Sequence, residues 1–227
     1  MSKKIKFVLI LIIIFSILFS TAASAGNFTN SYSANSLYVR KKAKEYAEAY
    51  AGYPGNNAYY NYLKSGGDCT NFVSQVLRAG GLPMIGYPDY SNISSWYYYG
   101  SNPPQRSYSW TGVNQFMQHW ANYNNIGYNR AYSFKVYSLT EALTDSTYYE
   151  IYKNLFEGDV IQYKGIGGIN HSQVVHKYDS SDLYMAQHGS APSRFMENVK
   201  LRDYLLWVNS QFKDVTLYTI KIKKATT

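Results

Sequence analysis

A single cysteine lies in a segment that favours nucleophilic chemistry. Cys69 is the only cysteine of the 227 residues and follows Gly66, Gly67 and Asp68, at the predicted start of a helix. The first turn of a helix presents unpaired backbone N–H groups, and the helix dipole places partial positive charge beside the sulfur. Both effects favour the thiolate, which is the reactive form of cysteine. We therefore predict that Cys69 is a nucleophile and that Asp68 caps the helix.

A nucleophilic cysteine needs a general base, and the chain offers four histidines. His171 opens a predicted strand, and His188 lies near the end of the next strand, where it could orient His171. His176 follows His171 by five residues, so strand alternation directs it to the opposite face. His119 lies in a short predicted helix and is expected at the surface or in the core. The favoured pair is Cys69 with His171.

Other chemistries are poorly supported by the sequence. A zinc site is disfavoured because there is no second cysteine and no H-E-x-x-H pattern, and because His171 and His176 would face apart. A serine hydrolase is disfavoured because no G-x-S-x-G elbow occurs. The basic residues are scattered and form no nucleic-acid motif. We expect no metal, no cofactor and no nucleic-acid partner.

Hydrophobic spacing predicts helices first and strands afterwards. The helices are predicted over residues 36–50, 69–79 and 111–120. The strands are predicted over residues 159–163, 171–178, 183–188 and 215–221, the last of them closing the sheet. Short turns between the strands favour antiparallel pairing. The expected class is α+β, with the nucleophile helix packed on an antiparallel sheet.

The first 25 residues have the pattern of a signal peptide. Lys3, Lys4 and Lys6 precede an apolar run, and Ala23-Ser24-Ala25 fits a cleavage site. The alternative, an uncleaved membrane anchor, is disfavoured because the apolar run is short for a span. The sequence thus predicts a protein that is secreted or associated with the cell wall after cleavage near Ala25.

The remainder divides into a loose segment, residues 26–35, and one domain, residues 36–227. The formal net charge of the whole chain is +8, and loss of the three leader lysines would lower it to +5. This charge favours approach to an anionic surface such as a bacterial cell wall.

The chain resembles the putative amidase domain family, a branch of the papain-like NlpC/P60 and CHAP cysteine hydrolases. The most specific match is the cysteine segment, GGDCTNFVSQ. The other matching segments are residues 39–47, 109–116, 158–163, 171–175 and 184–188. The resemblance implies a papain-like NlpC/P60-type fold and hydrolysis of an amide bond through a thioester. In the relatives the substrate is often a peptidoglycan stem peptide or the muramoyl–alanine amide.

By this resemblance, Cys69 is the nucleophile, His171 is the base, and His188 is the third polar residue. Gln187 is the alternative third residue, since CHAP-like relatives have a carboxylate at about that position. Neighbouring strand residues face opposite ways, so only one of the two should reach His171. Two other functions remain open: a non-catalytic wall- or glycan-binding effector on the same fold, and an acyltransferase that uses the same Cys–His pair.

Overall fold

Helices cover both faces of an antiparallel sheet in the computed structural model, which describes residues 26–31, 34–123, 126–166 and 170–225. The predicted signal peptide, residues 1–25, lies outside the described residues. The helices are α1 (Arg40–Tyr50), α2 (Cys69–Ala79), α3 (Tyr108–Thr111), α4 (Val113–Ala121), α5 (Leu139–Ala142), α6 (Asp145–Asn154) and α7 (Leu201–Gln211). The strands are β1 (Phe28–Thr29), β2 (Ser133–Ser138), β3 (Val160–Ile166), β4 (Asn170–Tyr178), β5 (Leu183–Gln187), β6 (Met196–Lys200) and β7 (Lys213–Lys221).

The strand order in the sheet is β1-β2-β7-β3-β4-β5-β6, and each neighbouring pair is antiparallel. This arrangement confirms the predicted α+β class. The expectation that the last strand closes the sheet is wrong, because β7 lies in the interior between β2 and β3. Its run of buried residues, from Leu217 to Lys221, explains this position, since an interior strand is covered on both faces.

The two faces of the sheet carry separate apolar cores. Val160, Val174 and Ile220 face the core that includes α1, α2 and α4. Ile161 and Val175, the next residues along β3 and β4, face the core that includes α6 and α7. This alternation follows from the two-residue period of a strand. The second helical layer, α5 to α7, was not predicted.

Helix α2 occupies residues 69–79, as predicted. Phe72, Val73, Val76 and Leu77 are fully buried against the sheet and the neighbouring helices. Burial on this scale stabilises the position of the helix by several kcal/mol, at roughly 1.5–3 kcal/mol for each large apolar side chain. The first residue of α2, Cys69, is therefore presented from a rigid element.

The other predicted helices differ in their bounds. Helix α1 begins at Arg40 rather than residue 36, because Tyr38 turns inward and its hydroxyl donates to the carbonyl of Gly158 at 3.0 Å. The helix predicted over residues 111–120 is two helices, α3 and α4, because Gly112 has extended backbone angles between them. Within the described residues, no helix has the length and apolar character needed to cross a membrane.

The segments without periodicity take part in the fold. Residues 84–107 are irregular, whereas the last two residues predicted to be irregular, Tyr108 and Ser109, begin α3. Trp96 and Tyr97 within the irregular part are fully buried. Residues 26–35 were expected to be loose, but Phe28 and Thr29 pair with Phe134 and Ser133 at the sheet edge.

Candidate active site

The nucleophile candidate lies at the start of α2, directly after a glycine turn. Gly66 and Gly67 have φ angles of +102° and +121°, a region that other residues adopt only under strain. An added Cβ at either position would meet nothing within 4 Å, so the backbone angles, and not crowding, account for glycine here. Cys69 is a free thiol that is partly exposed in a cleft.

Cys69 and His171 line the same cleft, and His171 acts on the thiol. Burial raises the pKa of the Cys69 thiol, but the neighbouring His171 lowers it. The Thr70 hydroxyl, 3.8 Å from the sulfur, and the backbone of Ser172 add to the lowering. The resulting pKa lies below the ordinary thiol value of 9.0. The structure thus brings together the two residues that the sequence paired.

Gln187 is the residue that orients His171. Its Oε1 atom lies 2.9 Å from His171 Nε2 and also accepts from Gln173 Nε2 at 2.6 Å. Gln173 Oε1 in turn accepts from the Tyr163 hydroxyl at 2.6 Å. An amide oxygen only accepts, so His171 Nε2 carries the proton. Nδ1 is then the nitrogen left to receive a proton from Cys69.

The position of these glutamines follows from the sheet register. The ladder between β4 and β5 runs from Val174↔Ala186 to Tyr178↔Leu183. His171 and Gln173 lie on β4 beyond the end of this ladder, and Gln187 ends β5. Beyond the end of the ladder, hydrogen bonds between side chains connect β4 and β5 in place of backbone hydrogen bonds.

His188 does not occupy the place expected for it. Its Nδ1 lies 2.6 Å from Asp68 Oδ2, and its Nε2 lies 2.8 Å from the carbonyl oxygen of Tyr50. The buried ring is stacked between Phe72 and Phe195, with centroid distances of 4.0 and 3.9 Å. Both ring nitrogens are engaged away from His171, which corrects the expectation that His188 orients the base.

Asp68 stands at the N-cap position of α2, but its side chain does not cap the helix. Its Oδ1 atom accepts from the Tyr62 backbone N–H at 3.0 Å and from Asn71 Nδ2 at 2.8 Å. Together with its contact to His188, Asp68 links the glycine turn, α2 and the end of β5. The prediction of a capping role is therefore wrong, and the carboxylate instead joins these three parts of the chain by hydrogen bonds.

A cleft of about 400 Å³ opens beside the Cys69–His171 pair. One side of it is apolar, and we call this side the aromatic wall: Met196, Val199, Tyr204, Trp207 and Phe212. A second, more polar cavity of about 350 Å³ lies beyond the glycine turn and shares Gly67 with the cleft. A substrate can thus extend to either side of the nucleophile.

A protein-family model described as "Putative amidase domain" matches residues 37–215. The chain belongs to this amidase family. The match covers both catalytic candidates and both helical layers.

Two relatives from Bacillus subtilis (strain 168) are similar to this amidase-family chain. Uncharacterized protein YhbB is 31% identical over 191 residues, which cover 83% of this chain and 49% of the relative. Uncharacterized protein YjcM is 27% identical over 179 residues, covering 74% of this chain and 35% of the relative. The chain therefore spans about half, or less, of the length of these relatives. No solved structure matches.

The two remaining histidines of the amidase-family domain lie outside the cleft. His119 is in the core, where its Nδ1 lies 2.8 Å from the carbonyl oxygen of Ile93. Burial and the nearby Arg130 lower its pKa to about 3. His176 is buried on the face opposite His171, as strand alternation predicted.

His176 forms the one cluster in the described part of the chain whose ligand types suit a metal, with Glu48 and Glu197. Its Nδ1 lies 3.3 Å from Glu48, and its Nε2 accepts from the Asn198 backbone N–H at 3.3 Å. The Lys44 ammonium also contacts Glu48. Because both ring nitrogens and one carboxylate are already engaged, the cluster is better explained as a hydrogen-bonded link between α1, β4 and β6.

Sequence reasoning missed Gln173 and the aromatic wall. Gln173 lies between two predicted strand residues, and nothing in its local pattern marks it as a contact of Gln187. Tyr204 and Trp207 could have been found, because Leu201, Leu205 and Val208 have helical spacing and predict α7.

Proposed function

We propose that this amidase-family domain is a cysteine-dependent amidase that hydrolyses amide bonds through a thioester. The observation that carries the proposal is the meeting of Cys69 and His171 in one cleft, where His171 lowers the pKa of a thiol that burial alone would raise. A thiolate beside an imidazolium is the reactive state of a cysteine nucleophile.

The geometry suggests an order of events. The Cys69 thiolate attacks the substrate carbonyl carbon, and the backbone N–H groups that begin α2 stabilise the negative charge on the carbonyl oxygen. His171 donates its proton from Nδ1 to the leaving nitrogen, so the amine departs and a thioester remains. His171 then accepts a proton from water, which attacks the thioester and releases the acid and the thiolate. Gln187 holds the imidazole by its Nε2–H throughout.

We also propose that the fold is related to the papain-like NlpC/P60 and CHAP hydrolases. Three features support this relationship: a cysteine at the first position of a buried helix, a histidine on a following antiparallel strand, and a side-chain oxygen on the histidine's other nitrogen. In this proposal the third residue of the catalytic group is Gln187, which the sequence offered as the alternative to His188.

The proposed substrate is a peptide amide of the bacterial cell wall, met after secretion. The net charge of +5 that remains after loss of the three leader lysines supports it, since a positive charge favours contact with anionic wall polymers. The leader-like residues 1–25 support it as well.

The test combines alkylation with digestion. At neutral pH, iodoacetamide should label Cys69 faster than a model thiol, and purified peptidoglycan should release new peptide fragments or free sugar chains, detected by mass spectrometry. Cys69→Ala should lower turnover by at least about a thousandfold while circular dichroism remains that of the wild type. Labelling no faster than the model thiol would contradict the cysteine mechanism. Rapid labelling without fragments would retain the nucleophile and reject the wall substrate, and amine capture of the acyl group would indicate transfer.

A further inference from the structure

One charged side chain faces the active-site cleft without a partner. Among the described residues that line the cleft, Arg194 is the only arginine or lysine. No described carboxylate forms an ion pair with Arg194, whereas Arg40 and Arg202 each contact an aspartate. Arg194 is exposed, so its guanidinium is available to a ligand in the cleft.

The backbone around Arg194 is fixed close to the nucleophile. Phe195 is buried and stacks on His188 at 3.9 Å, which anchors the short turn Pro192–Arg194. Arg194 also packs on Gly189, where an added Cβ would lie 2.4 Å from Arg194 Cβ. The carbonyl of Gly189 accepts from the Asp68 backbone N–H at 3.4 Å, one residue before Cys69. Arg194 is thus linked to the start of α2 by a short chain of contacts.

Tyr204 indicates where the guanidinium charge acts. Burial raises the pKa of its phenol, the negative charge of Cys69 raises it further, and the positive charge of Arg194 lowers it. The same hydroxyl therefore lies within the electrostatic reach of both the nucleophile and Arg194. Cys69, Arg194 and Tyr204 also line the same cleft, so a ligand bound there can meet both the sulfur and the guanidinium.

The aromatic wall lies beside this charge. Tyr204 and Trp207 are one turn apart on α7, with ring centroids 5.3 Å apart, and Phe212 lies 6.0 Å beyond Trp207. Trp207 and Met196 are 42% and 43% exposed, so they leave an apolar surface open to a ligand. A surface of this kind binds an apolar side chain, and an arginine fork binds a carboxylate.

We propose that the cleft selects a peptide amide that carries an apolar side chain against the aromatic wall and a free carboxylate on Arg194. The substrate class is then a short peptide, or a chain end, whose terminal carboxylate lies near the scissile bond. This inference rests on the proposed function for the position of the scissile bond. Binding of the apolar side chain and the carboxylate requires only the cleft and does not depend on the amidase mechanism.

Binding can be measured without turnover in the Cys69→Ser variant, with Trp207 as the reporter. The other three tryptophans, Trp96, Trp110 and Trp120, are buried, so a fluorescence change on ligand binding should arise at Trp207 and vanish in Trp207→Phe. The probes are N-acetyl-leucyl-alanine with a free carboxylate, its C-terminal carboxamide, and the corresponding glycyl-alanine carboxylate. The free carboxylate should bind about tenfold more tightly than the carboxamide, and leucine more tightly than glycine.

Arg194→Gln should remove the preference for the carboxylate, and raised salt should weaken it in the parent variant. Lys200→Gln, which removes an exposed charge from the same strand region, should preserve the preference. Equal binding of the acid and the amide, a preference that survives in Arg194→Gln, or no binding of any probe would overturn the inference. Hydrolysis of both probes at equal rates by the wild-type enzyme would reject only the role of Arg194. Discrimination in binding without any turnover would reject only the amidase mechanism.

Discussion

Thr70 Oγ1 and Ser172 Oγ lie 2.9 Å apart, and each belongs to the residue that follows a member of the proposed catalytic pair. Ser172 Oγ also accepts from Gln162 Nε2 at 2.7 Å, so the contact joins α2, β4 and β3. All three side chains are buried. This hydrogen-bonded chain ties the residue after Cys69 to the residue after His171 and so holds α2 and β4 together beside the cleft.

Thr70→Val keeps the shape of the side chain and removes this contact. We expect a loss of about 1–2 kcal/mol in the free energy of unfolding, because a buried hydrogen bond is lost. The alkylation rate of Cys69 should also fall, because Thr70 lowers the pKa of the thiol. Urea unfolding and iodoacetamide kinetics measure the two effects.

Thr147→Val is the matched control, since Thr147 is a half-buried helical threonine remote from the cleft. A double-mutant cycle with Ser172→Ala isolates the contact. Effects of Thr70→Val and Ser172→Ala that add without coupling would show that the two hydroxyl groups do not act together.

Gln187→Glu tests the assignment of the residue that orients His171. A carboxylate at this position still accepts from His171 Nε2 and Gln173 Nε2, and its negative charge favours the imidazolium form. The thiolate should then form at lower pH, so the midpoint of the alkylation rate against pH should move down. Gln187→Leu should move it up, because the imidazolium loses its acceptor.

Gln211→Glu, at the exposed end of α7, adds the same charge away from the site and should leave the midpoint unchanged. Midpoints that are alike in the wild type and both Gln187 variants would remove Gln187 from the proposed mechanism.

His188 and Asp68 form a buried pair whose role we expect to be structural. Asp68→Asn or His188→Ala should lower the free energy of unfolding by about 3–5 kcal/mol, since each change leaves one partner buried without its counterpart. The alkylation midpoint of the folded protein should change less than in the Gln187 variants. Thermal unfolding followed by alkylation of the folded fraction tests both points. If His188→Ala kept wild-type stability but shifted the midpoint of the alkylation rate against pH, His188 would be assigned a catalytic role instead.

The sequence was sufficient to pair Cys69 with His171 and insufficient to rank their neighbours. Helix α2 was predictable because Phe72, Val73, Val76 and Leu77 have helical spacing between a glycine pair on either side. Strand alternation showed that only one of Gln187 and His188 could reach His171. It could not select between them, because the choice depends on where the β4–β5 ladder ends, and that register is irregular beside Val175.

The second helical layer was missed for a different reason. The surface that α6 and α7 cover belongs to predicted strands, since Ile161 of β3 and Val175 of β4 face these helices. The missed signal was the helical spacing of Leu201, Leu205 and Val208, and the aromatic wall, which depends on α7, was missed with it.

The lowered pKa of Cys69 should appear as a pH dependence of stability. In the window between its folded pKa and the ordinary value of 9.0, the unfolded chain binds more protons at this site than the folded chain. The free energy of unfolding of the wild type, relative to Cys69→Ser, should therefore rise with pH across this window and be lost as pH falls through the folded pKa. Urea unfolding under reducing conditions at several pH values measures the difference.

His171→Ala supplies the decisive comparison, because it removes the side chain that lowers the pKa of the Cys69 thiol. Burial alone raises the pKa of Cys69. The free energy of unfolding of His171→Ala, relative to the double variant that also carries Cys69→Ser, should therefore fall as pH rises toward the raised pKa of the thiol. If the slope of this stability difference against pH changes sign when His171 is removed, His171 overcomes the cost of burying the thiolate. Equal slopes with and without His171 would assign the lowered pKa to the helix and its neighbours.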